Sequence, residues 1–133
     1  MKNEKKKARS FLVSQSYAFH GLKLIVRNER NFRIQIVFAI FVFAAGFVLD
    51  ISHQDWVAVG LLVALVLITE AYNSVIEALC DTISQEYRVN IKYAKDVSAG
   101  CVLITSILSA IAGTIIFAPY LITKIEEIFG KMV

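Results

Sequence analysis

Glu70, Asn73, Glu77 and Asp81 follow one another at spacings of three and four residues, at the end of an otherwise apolar stretch over residues 56–79. On a helix of 3.6 residues per turn they fall within an arc of about 80°, a single stripe. A carboxylate at membrane depth costs on the order of 3 kcal/mol even on lenient insertion scales, so several on one face need a functional reason. Clustered carboxylate oxygens suit a hard cation such as Mg²⁺, which brings nucleotide phosphates with it. Asn73 adds a neutral hydrogen-bonding group between the acids. Glu70, further into the apolar stretch, is positioned to take a proton from a lipid hydroxyl. Lys95 offers a point positive charge to a phosphate. A purely structural reading makes the stripe a set of interhelical hydrogen bonds, but one polar residue would suffice for that. The residues by themselves reach a metal and lipid-facing acid/base site.

The elements that must hold this stripe are membrane helices. The chain has 133 residues, enough for one domain over 1–133. It is 57% hydrophobic with a mean hydropathy of +0.63, too apolar for an ordinary soluble domain of this size. Any chemistry is therefore built from the spans and their short connections. Residues 32–49 form a first span of about 26 Å, near the lower limit for crossing. Residues 50–55 are a polar turn without Lys or Arg, and Trp56 opens the second span, 56–79, as an aromatic anchor. The purely apolar part of this span is too short to cross alone, so helix continues through Glu70, Asn73 and Glu77. Residues 80–96 are a polar loop or helix extension. Residues 97–122 form a third, uncharged span of about 39 Å. In it Ser106, Ala110 and Thr114 repeat at i+4, a spacing that lets helices approach closely.

Residues 1–9 read as a charged tail without fixed structure. Residues 10–31 read as a basic amphipathic helix lying in the interface plane: Phe11, Leu12, Ala18, Phe19, Leu22, Ile25 and Val26 share one face. A basic run precedes the first span and suits an anionic membrane surface. It lacks the interleaved aromatics of a nucleic-acid groove, and no nucleic-acid partner is expected. No signal-peptide pattern appears. Cys80 and Cys101 form neither a metal spacing nor a disulfide framework. Lys and Arg counts place the N-terminus and residues 80–96 on the cytoplasmic side, with three crossings. The acidic stripe then ends at the cytoplasmic face, where Lys95, Asp96, Glu29 and Arg33 also arrive. No glycine-rich phosphate cradle accompanies it: the chain has no G-x-x-x-x-G-K-[ST] and no G-x-G-x-x-G.

The run Glu70-Ala-Tyr-Asn73-Ser-Val-Ile-Glu77-Ala-Leu-Cys-Asp81, then Glu86-Tyr87 and Ala94-Lys95-Asp96, resembles the signature of the prokaryotic diacylglycerol kinase family. Gly21-Leu22, Asn28-Glu29 and Phe32-Arg33 resemble it too. The resemblance implies an all-α integral membrane lipid kinase of the bacterial cell membrane. It implies an amphipathic surface helix, three spans, and a homotrimer with active sites between subunits at the cytoplasmic face. The γ-phosphate of Mg-ATP would pass directly to a lipid hydroxyl. By position, the resemblance makes Glu70 the general base and Glu29 and Glu77 the metal ligands. Asn73, Lys95 and Asp96 would position the phosphates and lipid headgroup, with Asp81 and Tyr17 supporting the nucleotide. The chain departs from the family pattern at Ser10, where Arg is common, and at Tyr72 and Cys80, where aliphatic residues are common. The family divides by acceptor, and residues 95–100 resemble the undecaprenol branch more than the diacylglycerol branch.

Two rival readings are weaker. A small oligomeric cation channel or transporter would need matching acids across the bilayer, and the first and third spans offer none at mid-membrane. A structural anchor would have no use for the stripe.

Overall fold

The computed structural model describes the backbone of residues 2–83, 86 and 88–130, and side chains for residues 11, 13–83, 86 and 88–130. Tyr87 of the signature lies outside the described residues. Among the described residues four helices follow in order: α1 (Lys2–Asn28), α2 (Arg30–Leu49), α3 (His53–Ile83) and α4 (Val89–Gly130). Among the described residues there is no strand. The expected tail over residues 1–9 is instead helix from Lys2 onward. Lys, Glu and Ala there are strong helix formers, and no glycine or proline interrupts them.

Among the described residues three helices, α2, α3 and α4, are long and apolar enough to cross a membrane. Their lengths of 20, 31 and 42 residues correspond to about 30, 46 and 63 Å. A hydrocarbon core is about 30 Å thick, so α3 and α4 project beyond it. The polar connection expected over residues 80–96 is thus mostly helix, with α3 reaching Ile83 and α4 starting at Val89.

Each junction has a local cause. Glu29 breaks α1 from α2 in an extended conformation (φ −94°, ψ 115°). Arg33 then reaches back, its Nη1 donating to the carbonyls of Arg27 at 2.8 Å and Val26 at 3.2 Å. These are carbonyls of the last turn of α1, where a cation also complements the helix dipole. The clamp fixes the corner that carries Glu29.

At the other end of α2, Asp50 takes the left-handed conformation (φ 52°) and its N–H caps the carbonyl of Gly46. Trp56 folds back over this corner. Its ring lies 6.0 Å from Phe43 and 4.7 Å from Phe47, centroid to centroid. It also covers Gly46, where an added Cβ would meet Trp56 Cη2 at 2.7 Å. The expected interfacial anchor is therefore also a packing residue, half-buried against α2. Ser52 caps α3, its Oγ accepting the Asp55 N–H at 3.2 Å. Tyr120 on α4 donates its hydroxyl to Asp55 Oδ2 at 2.5 Å and accepts the Ser52 N–H at 3.2 Å. This ties α4 to the start of α3.

α3 packs mainly along α4, with α2 against α3. Little is covered within one chain: 11%, 17% and 0% of the most apolar windows of α2, α3 and α4 are buried. Nearly all the remaining apolar surface must therefore face lipid or another protein surface. The apolar side of α1 is similarly open, with Phe11, Phe19 and Leu22 exposed, as suits a helix in the membrane interface.

Candidate active site

Two of the four stripe residues, Glu70 and Asn73, are among the few polar groups buried among the described residues, whereas Glu77 is half-buried and Asp81 exposed. Glu70 is 3% exposed, and Gln35 Nε2 on α2 donates to its Oε2 at 2.9 Å. A hydrogen bond of this kind fixes the rotamer of the Glu70 side chain. Gln35 Oε1 is buried without a partner. The same glutamine lines an apolar cleft of about 740 Å³ between α2, α3 and α4, walled by Phe38, Leu62, Val66, Ser109 and Phe117 among others.

One turn along α3, Asn73 is 8% exposed and donates from Nδ2 to Glu77 Oε1 at 3.2 Å. Ser98 on α4, itself buried, donates to Asn73 Oδ1 at 2.6 Å. The stripe is therefore keyed to α4 at its centre. Below it, Lys95 Nζ pairs with Asp81 Oδ1 at 2.6 Å. Both ends of this pair are open to solvent, so the lysine is partnered yet accessible from outside.

The other predicted residues stand apart. Tyr17 is 72% exposed on α1, Asp96 is exposed on α4, and Glu29 is half-buried at the α1–α2 corner. Among the described residues, no side-chain hydrogen bond joins Tyr17, Glu29 or Asp96 to the stripe. Nor do three or more His, Cys, Asp or Glu converge as a metal cluster. Chemically, Glu29 and Glu77 nevertheless fit a hard cation. They are oxygen donors, and Mg²⁺ needs only one or two carboxylates when phosphates and waters complete its shell.

Two participants escaped the sequence reading. In the sequence Gln35 is a polar residue near the start of the first apolar run. A lone amide in an apolar helix is nonetheless a signal for a cross-helix partner. Ser98 has the weaker signal of following Lys95 by three positions, on the same helical face.

Comparison with known proteins bears on this geometry. The family model described as prokaryotic diacylglycerol kinase matches residues 16–117. The undecaprenol kinase of Bacillus subtilis is 32% identical over 120 residues, covering 90% of this chain and 98% of that protein. The diacylglycerol kinase of Synechocystis is 35% identical over 126 residues, 92% of this chain and 70% of that one. The diacylglycerol kinase of Escherichia coli K12 is 32% identical over 105 residues, 79% and 86% of the two chains. The matched region contains the stripe of buried Glu70, buried Asn73 and half-buried Glu77, and both residues that key it to its neighbours, and on that match the chain belongs to the prokaryotic diacylglycerol kinase family.

Proposed function

We propose that this multi-pass membrane protein is a lipid kinase that transfers the γ-phosphate of ATP, as its Mg²⁺ complex, to the hydroxyl of undecaprenol. The observation that carries the reading is Glu70: an acid 3% exposed, held by Gln35, which itself lines an apolar cleft. A lipid alcohol whose chain lies in that cleft would bring its hydroxyl toward the carboxyl group that Gln35 holds, which would accept its proton. Glu29 and Glu77 would hold the metal ion, which would supply neutralisation of charge on the phosphates. Asn73, Lys95 and Asp96 position phosphates and headgroup, and Asp81 and Tyr17 support the nucleotide. Phosphoryl transfer needs positioning and charge neutralisation more than a dedicated phosphate fold, so a glycine-rich loop is dispensable.

Undecaprenol is favoured by the Bacillus subtilis relative, whose own length is almost entirely matched. Diacylglycerol is the second reading, supported by the Synechocystis relative named for it. A homotrimer with sites between subunits would account for the open apolar faces and for acids that, among the described residues, do not converge within one chain. The scarcity of Lys and Arg between α2 and α3 supports a bacterial cell membrane orientation with the site facing the cytoplasm.

The test is transfer of labelled γ-phosphate from Mg-ATP, by protein in detergent–lipid micelles, to undecaprenol and diacylglycerol side by side. Faster labelling of undecaprenol is expected. Preference for diacylglycerol would move the protein to phospholipid turnover. Labelling of neither, by a folded oligomer, would sink the kinase reading and raise the cation-pathway one.

A further inference from the structure

We propose that Ser98 is a positioning residue: its hydroxyl sets the direction of the Asn73 amide and thereby holds Glu77 in the geometry that receives the metal–nucleotide complex. This rests on the reading of Glu77 as a ligand for the metal of the nucleotide.

The argument is one of counting donors. The Asn73 amide can stand in two orientations, related by exchanging its oxygen and nitrogen. Its outer edge lies 3.2 Å from Glu77 Oε1. An ionised carboxylate accepts hydrogen bonds only, so the NH₂ must face Glu77 and Oδ1 must face away. Oδ1 then points at Ser98 Oγ, 2.6 Å away. A serine hydroxyl has one proton, and here two acceptors compete for it: Asn73 Oδ1 and the carbonyl of Lys95 at 2.9 Å. With the amide oxygen turned toward it, the proton goes to Asn73. The chain of bonds therefore has one direction, from Ser98 through Asn73 to Glu77.

Burial makes this direction matter. Asn73 is 8% exposed and Ser98 6%. An amide oxygen left unpaired at such a site is costly. Without the Ser98 hydroxyl, Asn73 regains a partner only by swinging its amide, which withdraws the NH₂ from Glu77. Glu77 would then lose the contact that fixes its rotamer. Because Ser98 follows Lys95 and Asp96 on α4, the same bond also sets the register of that turn against Asn73 and Glu77 on α3.

The test uses the full chain in detergent–lipid micelles, with Ser98→Ala and the near-isosteric Ser98→Cys, whose thiol is a weak donor. Binding is read without turnover, as loss of the free Mn²⁺ electron paramagnetic resonance signal in the presence of the β,γ-methylene analogue of ATP. Transfer kinetics are read alongside. Ser98→Ala is expected to weaken Mn–nucleotide binding and raise the KM for Mg-ATP, each about tenfold, the value of one lost hydrogen bond. Its kcat at saturation stays within about twofold, and Ser98→Cys falls between serine and alanine. Wild-type binding in Ser98→Ala, a loss of kcat with binding intact, or full binding by Ser98→Cys would overturn the proposal. A wild-type protein that binds Mn–nucleotide but labels no lipid would overturn the kinase reading instead and leave the role of Ser98 at the metal site standing.

Discussion

Gln35 on α2 and Glu70 on α3, 35 positions apart in the chain, meet through a 2.9 Å hydrogen bond from amide to carboxylate. If Glu70 is the base, this bond governs its aim. Glu70→Gln is expected to lower kcat by about 10²–10⁴-fold, the usual worth of a general base. Gln35→Leu, which removes the hydrogen bond that aims Glu70, is expected to cost roughly 10- to 100-fold in kcat. Labelled-phosphate transfer at saturating substrate checks both, with circular dichroism confirming the helices. Full activity in Glu70→Gln would refute its assignment as base.

The Lys95–Asp81 pair lies at the solvent-exposed end of the stripe. Exposed pairs contribute little to stability. Lys95→Met should therefore leave the thermal midpoint nearly unchanged while raising the KM for Mg-ATP by about tenfold, the cost of one phosphate contact. A lowered midpoint with an unchanged KM would mean the lysine serves the fold and not the nucleotide.

Gly46 permits Trp56 to close the α2–α3 corner. Gly46→Ala forces the indole away and is expected to destabilise the protein by about 1–3 kcal/mol through overpacking. A denaturant titration in mixed micelles measures this. Combining it with Trp56→Leu should make the alanine far less costly, because the clash has been removed. Equal penalties in both backgrounds would show that the glycine is needed for another reason.

Tyr120 fastens α4 to Ser52 and Asp55, at the end of α3 away from the stripe. Tyr120→Phe breaks that tie and leaves Asp55 with its Ser52 contacts. Faster thermal inactivation with unchanged kcat and KM is expected. A change in KM for Mg-ATP would mean that the two ends of the bundle are coupled.

The sequence by itself determined most of what periodicity and hydropathy can encode. Three apolar runs and the polar stripe were readable because a helix places i, i+3, i+4 and i+7 on one face whatever it packs against. The long signature from Glu70 to Asp96 carried the family. Boundaries were less legible. The Lys-rich segment over residues 2–7 reads as a solvated tail by charge and as helix by propensity, and propensity won.

Only the tertiary structure decided which groups meet. Gln35 and Ser98 have no special status in a one-dimensional pattern. They matter because α2 and α4 cross α3 at heights that place an amide on Glu70 and a hydroxyl on Asn73. Trp56 sits where an interfacial anchor belongs, yet Gly46 draws it inward, a pairing that depends on the left-handed turn at Asp50. A helix face can be computed from spacing alone. The partner of a buried polar atom depends on crossing position and corner geometry, set by packing between segments far apart in the chain.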